Sequence, residues 1–163
     1  MPNIQGNQLT FRLDANVRVA KYSALIKSTL NPSTFLNEFV ALPTGPNQGP
    51  VIGVTAEHFF EPMFFFKQGT DPSTVTGTLP TLYNMQTRPV LCQIDGLGYV
   101  YAAGAVNQGD IVVVADAYGR VNNLANLGIG AGTMVFPVGV AQTLTAAAND
   151  IVLVRFDFTP FKS

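Results

Sequence analysis

Apolar and polar residues alternate over the first twenty positions, where Leu9, Phe11, Leu13, Val17 and Val19 are separated by Thr10, Arg12, Asp14 and Arg18. Period two puts successive side chains on opposite faces of an extended chain, so the segment reads as strand. Residues 1–16 also hold Pro2, Gly6 and five amides, too little apolar surface for an independent element. They predict an extended arm, mobile in the free protein, whose strand pattern suits pairing with a sheet edge of another subunit. Residues 31–42 carry the one helix signal: Asn31 can cap, Pro32 suits a first turn, and Phe35, Leu36, Phe39 and Val40 share a face. Pro43 to Pro50, with three prolines and two glycines, predict a loop.

Strands are expected at Val51–Thr55, Arg88–Ile94 and Tyr99–Tyr101, with a hairpin-type turn at Asp95-Gly96. A dense apolar cluster, Phe59, Phe60, Met63, Phe64, Phe65 and Phe66, follows the first of these, and residues 68–81 form a polar loop. The C-terminal third is the most regular. Strands are expected at Ile111–Ala115, Pro137–Ala141 and Ile151–Phe156, and Asp116-Ala117-Tyr118-Gly119 reads as a turn whose glycine takes positive φ. Asp110–Val114 and Asp150–Val154 are near copies of one another, each an Asp leading into a strand expected to be buried on both faces. Val112, Val114, Val138, Val140, Val152 and Val154 are the expected core.

Composition agrees with the pattern. Val, Thr, Phe, Ile and Tyr make up 57 of the 163 residues, while Gly and Pro add 26 turn formers. The fold class is therefore all-β: a β-sandwich or a jelly-roll-like small barrel, one domain over residues 1–163, with an N-terminal arm and at most one short helix. Only 12% of residues are charged, against about 25% in a typical soluble domain, and polarity comes from 20 Asn and Gln and 15 Thr. A surface so poor in charge suits permanent contacts, and an aromatic cluster suits an interface. Leu9, Phe11, Leu13, Phe59, Phe60, Phe64, Phe65 and Phe66 are the candidate interface residues. A net charge of −1 gives no footprint for nucleic acid. The uncharged stretch 121–149 is interrupted throughout by Asn, Gln, Thr and Gly, so no membrane span is expected. The N-terminus lacks the regions of a secretory signal, and one Cys excludes an internal disulfide.

Candidate chemistry is sparse. His58 is the sole imidazole, and its spacing to Glu61, with Glu57 beside it, falls short of a metal site. A histidine held by hydrogen bonds beside the phenylalanines explains it better. Cys92 lies in an apolar run and reads as a small hydrophobe. Asp71, Asp95, Asp110, Asp116 and Asp150 sit at turns, where capping of backbone explains them. Gly128-Ile129-Gly130-Ala131-Gly132 lacks the Lys-Ser/Thr and the helix of a phosphate loop. No catalytic set, metal or cofactor is expected.

Residues 99–156 carry a resemblance. The run from Tyr101 to Val114, with Gly109-Asp110 entering a Val-rich strand, is followed by the turn Asp116-Ala117-Tyr118-Gly119-Arg120-Val121, then by Pro137-Val138-Gly139-Val140-Ala141, then by Asp150–Val154. This order resembles the capsid decoration (cement) proteins of tailed phages. The resemblance implies a non-enzymatic β-structured virion protein, made in the bacterial host cytoplasm, that binds the outer capsid surface. It further implies a homotrimer whose partner is the major capsid protein, with no nucleic acid and no membrane. Two other readings stay open: another virion structural protein of the tail or head completion, and a carbohydrate-binding β-sandwich module using Tyr83, Tyr99, Tyr101 and Tyr118.

Overall fold

The computed structural model describes residues 6–15, 17–28, 39–57 and 89–163. Among these residues twelve strands run in chain order: β1 Gln8–Leu13, β2 Ala24–Lys27, β3 Phe39–Ala41, β4 Val51–Thr55, β5 Pro89–Gln93, β6 Leu97–Tyr101, β7 Ile111–Val114, β8 Val121–Asn123, β9 Met134–Val135, β10 Pro137–Ala141, β11 Ile151–Phe156 and β12 Phe161–Lys162. Among the described residues a 3-10 turn, Leu124–Leu127, follows β8. The protein is all-β. Its first five strands close into a barrel in the order β1-β3-β2-β4-β5, and β6-β11-β10-β7-β8 form a second sheet. Residues 31–38 and 58–88, which include Phe59, Phe60, Phe64, Phe65, Phe66, His58, Asp71 and Tyr83, lie outside the described residues.

Two expectations for the N-terminal half need correction. Phe39–Ala41 is not the end of a helix but strand β3, parallel to β1 and antiparallel to β2. Val40 is fully buried, so a place in the barrel wall outweighs the local helical periodicity. Gln8–Leu13 is not a free arm but a barrel stave. It pairs with β5 from Gln8↔Gln93 to Arg12↔Pro89, and with β3 at Arg12↔Phe39 and Leu13↔Val40. The arm's partner edge belongs to this same chain.

The barrel interior is filled by Phe11, Leu13, Val19, Leu25, Val40, Val90 and Cys92, with Ile52 and Ile94 packed against them. Strands β2 and β4 serve a second core on their outer face. There Ala24, Ile26, Val51 and Val54 meet Val100, Val112, Val114, Val138, Val152 and Val154 of the second sheet. Alternation puts Leu25 inside and its neighbours Ala24 and Ile26 outside. On β4 the parity is adjusted by a bulge: Gly53 opposes Leu25 and Val51 opposes Ile26, so Ile52 is the extra residue. That extra residue lets Val51 and Val54 face the same side.

Backbone bonds tie the halves together. Gly119 O accepts from Ala24 N at 2.9 Å, Tyr22 O from Tyr101 N at 3.2 Å, and Val114 O from Asn47 N at 2.8 Å. Gly119 takes φ 73°, and a Cβ there would lie 2.5 Å from Ala24 O, so the turn docks on β2 only as glycine. The second sheet itself curls, and its two edges meet where Ala102 bridges Val121.

The near-repeat at Asp110 and Asp150 becomes two copies of one turn. Strands β7 and β11 flank β10, each antiparallel to it. Asp110 Oδ2 accepts from Asn107 N at 2.8 Å after Gly109 at φ 89°, and Asp150 Oδ2 accepts from Ala147 N at 3.0 Å after Asn149 at φ 70°. Burial on both faces holds for Val112–Val114 but not for β11, where Ile151, Leu153 and Arg155 alternate with buried Val152, Val154 and Phe156. Val140 is correspondingly half-buried, because its cross-strand neighbours Ile111 and Arg155 lie on the outer face.

Candidate functional site

The sequence-predicted interface residues separate by depth. Phe11 and Leu13 are buried in this chain's own barrel, so they are not offered to a partner, whereas Leu9 near the start of the same strand is 50% exposed. Among the described residues the other large apolar side chains left in water are Leu144 at 71%, Met134 at 43% and Ile111 at 37%. None of these three stood out in the sequence. Each sits in or beside a short strand or loop, where exposure is set by tertiary position rather than by local pattern.

The turn aspartates are held in the structure by backbone and amide groups. Asp95 accepts from the Asn7 backbone at 2.6 Å and from its side-chain amide at 2.7 Å, fixing the entry to β1 against the β5–β6 hairpin. Asp116 Oδ1 accepts from Tyr118 N at 2.9 Å, while Oδ2 pairs with Arg120 Nε at 2.6 Å. Arg120 then reaches Asn149 Oδ1 at 2.8 Å and lies over the Tyr118 ring. Asp110 Oδ2 also accepts from Asn123 Nδ2 at 2.6 Å. Among the described residues no three His, Cys, Asp or Glu side chains come together as a metal site.

Cys92 is fully buried in the barrel. Burial, aided by the charge of Glu57, pushes its thiol up to about 12, so at neutral pH it carries no thiolate. It packs as a small hydrophobe.

One cleft brings together aromatic and polar groups. It has a volume of ≈ 210 Å³ and is lined by Gln8, Lys21, Tyr22, Val54, Thr55, Ala56, Gln93 and Tyr99. It lies where the ends of β4 and β5 meet the start of β1 and the middle of β6. The Tyr22 and Tyr99 rings stand edge to face, with centroids 5.7 Å apart and planes at 68°. Lys21 Nζ lies 5.0 Å from the centre of the Tyr22 ring. Thr55 Oγ1 accepts from Ser23 N at 3.0 Å and donates to Ala20 O at 2.7 Å, which makes it a structural post rather than a ligand group. Of the tyrosines singled out in the sequence, Tyr99 lines this cleft, Tyr101 is buried at 1% exposure, and Tyr118 lies under Arg120. The sequence reading missed Tyr22, Gln8 and Gln93, which are brought together by barrel closure across 85 positions of chain between Gln8 and Gln93.

A larger groove of ≈ 370 Å³ is lined by Asp14, Val17, Ile26, Lys27, Leu42 and Pro43 among others, at the opposite end of β1. The chain matches no family model and no curated protein.

Proposed function

We propose that this chain is a non-enzymatic virion structural protein that binds the outside of a phage capsid and holds neighbouring capsid subunits together. One observation carries the reading. The segments that resemble decoration proteins form strands β6, β7, β10 and β11 of one sheet and the turns that enter them, and the pattern's special residues have physical reasons there. Gly109 and Gly119 take positive φ at the two turns, and Gly139 sits at a bulge where a Cβ would lie 2.1 Å from Arg155 O. The low charge of the chain and the exposed Leu144, Leu9, Met134 and Ile111 support a role in lasting contacts.

Cementing works by mass action. A protein that binds only the assembled shell stabilises it by RT ln(1+[L]/Kd) per site, about 2.7 kcal/mol at a hundredfold excess over Kd, and the sites of a shell add. A homotrimer over local threefold positions would link three subunits at once. The test is to mix the purified protein with undecorated capsids, co-sediment them, and image the particles by electron cryomicroscopy. Extra density at regular threefold positions is expected. Protein that stays in the supernatant at micromolar concentration, with unchanged particles, would sink the reading.

A further inference from the structure

We propose that the cleft between Tyr22 and Tyr99 is a saccharide-binding subsite. This inference is independent of capsid binding and holds whether or not the chain decorates a shell.

A sugar ring presents an apolar C–H face and an edge of hydroxyls, so its recognition needs an aromatic surface beside fixed polar groups. The cleft supplies both. Tyr22 and Tyr99 give two ring surfaces at 68°, and among the described residues no group hydrogen-bonds to either phenol hydroxyl. Gln93 is 6% exposed and rigid, because its Nε2 donates to Asp95 O at 2.9 Å and to Leu97 O at 2.6 Å. Its Oε1 packs against Gly98, where an added Cβ would lie 2.5 Å away, so Gln93 serves as a fixed wall of the cleft. Gln8, directly across the β1–β5 ladder, is exposed and brings a second amide to the same rim.

The backbone of Tyr22 points the same way. It holds φ 67°, a left-handed conformation that a bulky aromatic residue rarely takes. The conformation is enforced from both sides: Tyr22 N donates to Thr55 O at 2.9 Å, and Tyr22 O accepts from Tyr101 N at 3.2 Å. Enforced local strain gathers at ligand clamps, and here it sets the Tyr22 ring against Tyr99 at the cleft. At ≈ 210 Å³ the cleft falls below the about 300–1,000 Å³ of pockets that enclose a drug-sized molecule. That size suits one unit of a longer glycan, not an engulfed cofactor.

The test titrates the full isotope-labelled chain with maltotetraose, cellotetraose and N-acetylchitotetraose, followed by two-dimensional NMR. At least one tetrasaccharide is expected to give saturable shifts centred on Tyr22, Ala56, Gln93 and Tyr99, with a dissociation constant of about 1 mM or below. Tyr99→Ala should weaken binding at least about tenfold and Gln8→Ala about threefold, while Tyr118→Ala, whose ring lies elsewhere, leaves it unchanged. Gln8 is exposed, so its variant decides the matter even if Tyr99→Ala fails to fold. No saturable shift up to about 20 mM with any of the three sugars would overturn the proposal, as would binding indifferent to Gln8→Ala.

Discussion

The barrel and the second sheet bury apolar surface in different ways. The sheet core is built mainly from Val and Ala, with β7, β10 and β11 adjacent in space and the turns entering β7 and β11 each fixed by their own Asp. The barrel core mixes Phe11, Leu13, Leu25, Val40, Val90 and Cys92 from strands far apart in sequence, closed by the parallel pair β1–β3. The turns of the sheet are fixed locally, but its ladders β6–β11 and β7–β10, like the barrel's β1–β5, form only once segments distant in sequence have met. The two share a wall, because β2 and β4 face both cores, so a single cooperative transition is the expected outcome.

The comparison breaks most sharply at Leu25. Truncation to Ala removes a fully buried side chain from the barrel and should cost about 3–4 kcal/mol. Circular dichroism and Cys92 accessibility should report the same lowered transition. A barrel that melts while the sheet persists would show two folding units instead of one.

Asn47→Ala comes next. The Asn47 side chain completes the free edge of β9: Oδ1 accepts from Phe136 N at 3.0 Å and Nδ2 donates to Met134 O at 2.8 Å, as a neighbouring strand would. Its loss leaves two backbone groups without a protein partner and should cost about 2 kcal/mol in chemical denaturation. Within the sheet, Val152→Ala should cost about 2 kcal/mol and half-buried Val140→Ala under about 1 kcal/mol, a difference readable from denaturation midpoints. Equal losses would mean that the outer face of β10 is covered.

The smallest effect at neutral pH concerns Cys92. Its thiol should resist a disulfide reagent at pH 8 in the folded protein and react at once in denaturant. The folded state holds this proton more tightly than the unfolded chain, whose thiol has the ordinary value of 9.0. The associated stability is therefore fully present below pH 9 and is lost as pH rises from 9.0 toward about 12. Cys92→Ala should remove that part of the alkaline loss.

What the sequence disclosed follows the same division. Strands β4, β10 and β11 are readable to the residue, and Asp95-Gly96 and Asp116–Gly119 are readable as turns, because β-branched runs and Gly or Asp punctuation act locally. Strand β2 was not readable, since Ala24-Leu25-Ile26-Lys27 shows no alternation when both its faces are buried. Strand β3 was misleading: Phe39 and Val40 fit a helical face as well as a barrel wall, and only pairing with β1 and β2 decides. The cleft was half legible. Tyr99 could be named from composition, but Tyr22 and the two glutamines meet only through barrel closure.

Two-sided strands also bear on how such a sequence can change over generations. A substitution at Leu25 must fit the barrel, and one at Ala24 or Ile26 must fit the sheet, so three consecutive residues answer to two separate volumes. An insertion or deletion in β4 is worse still, because Ile52 already fills the bulge that keeps Val51 and Val54 in phase. Divergence in this lineage is therefore expected to accumulate in the outward positions of β10 and β11 and in the loop around Leu144, while the segments 24–27 and 51–54 drift slowly and only in concert.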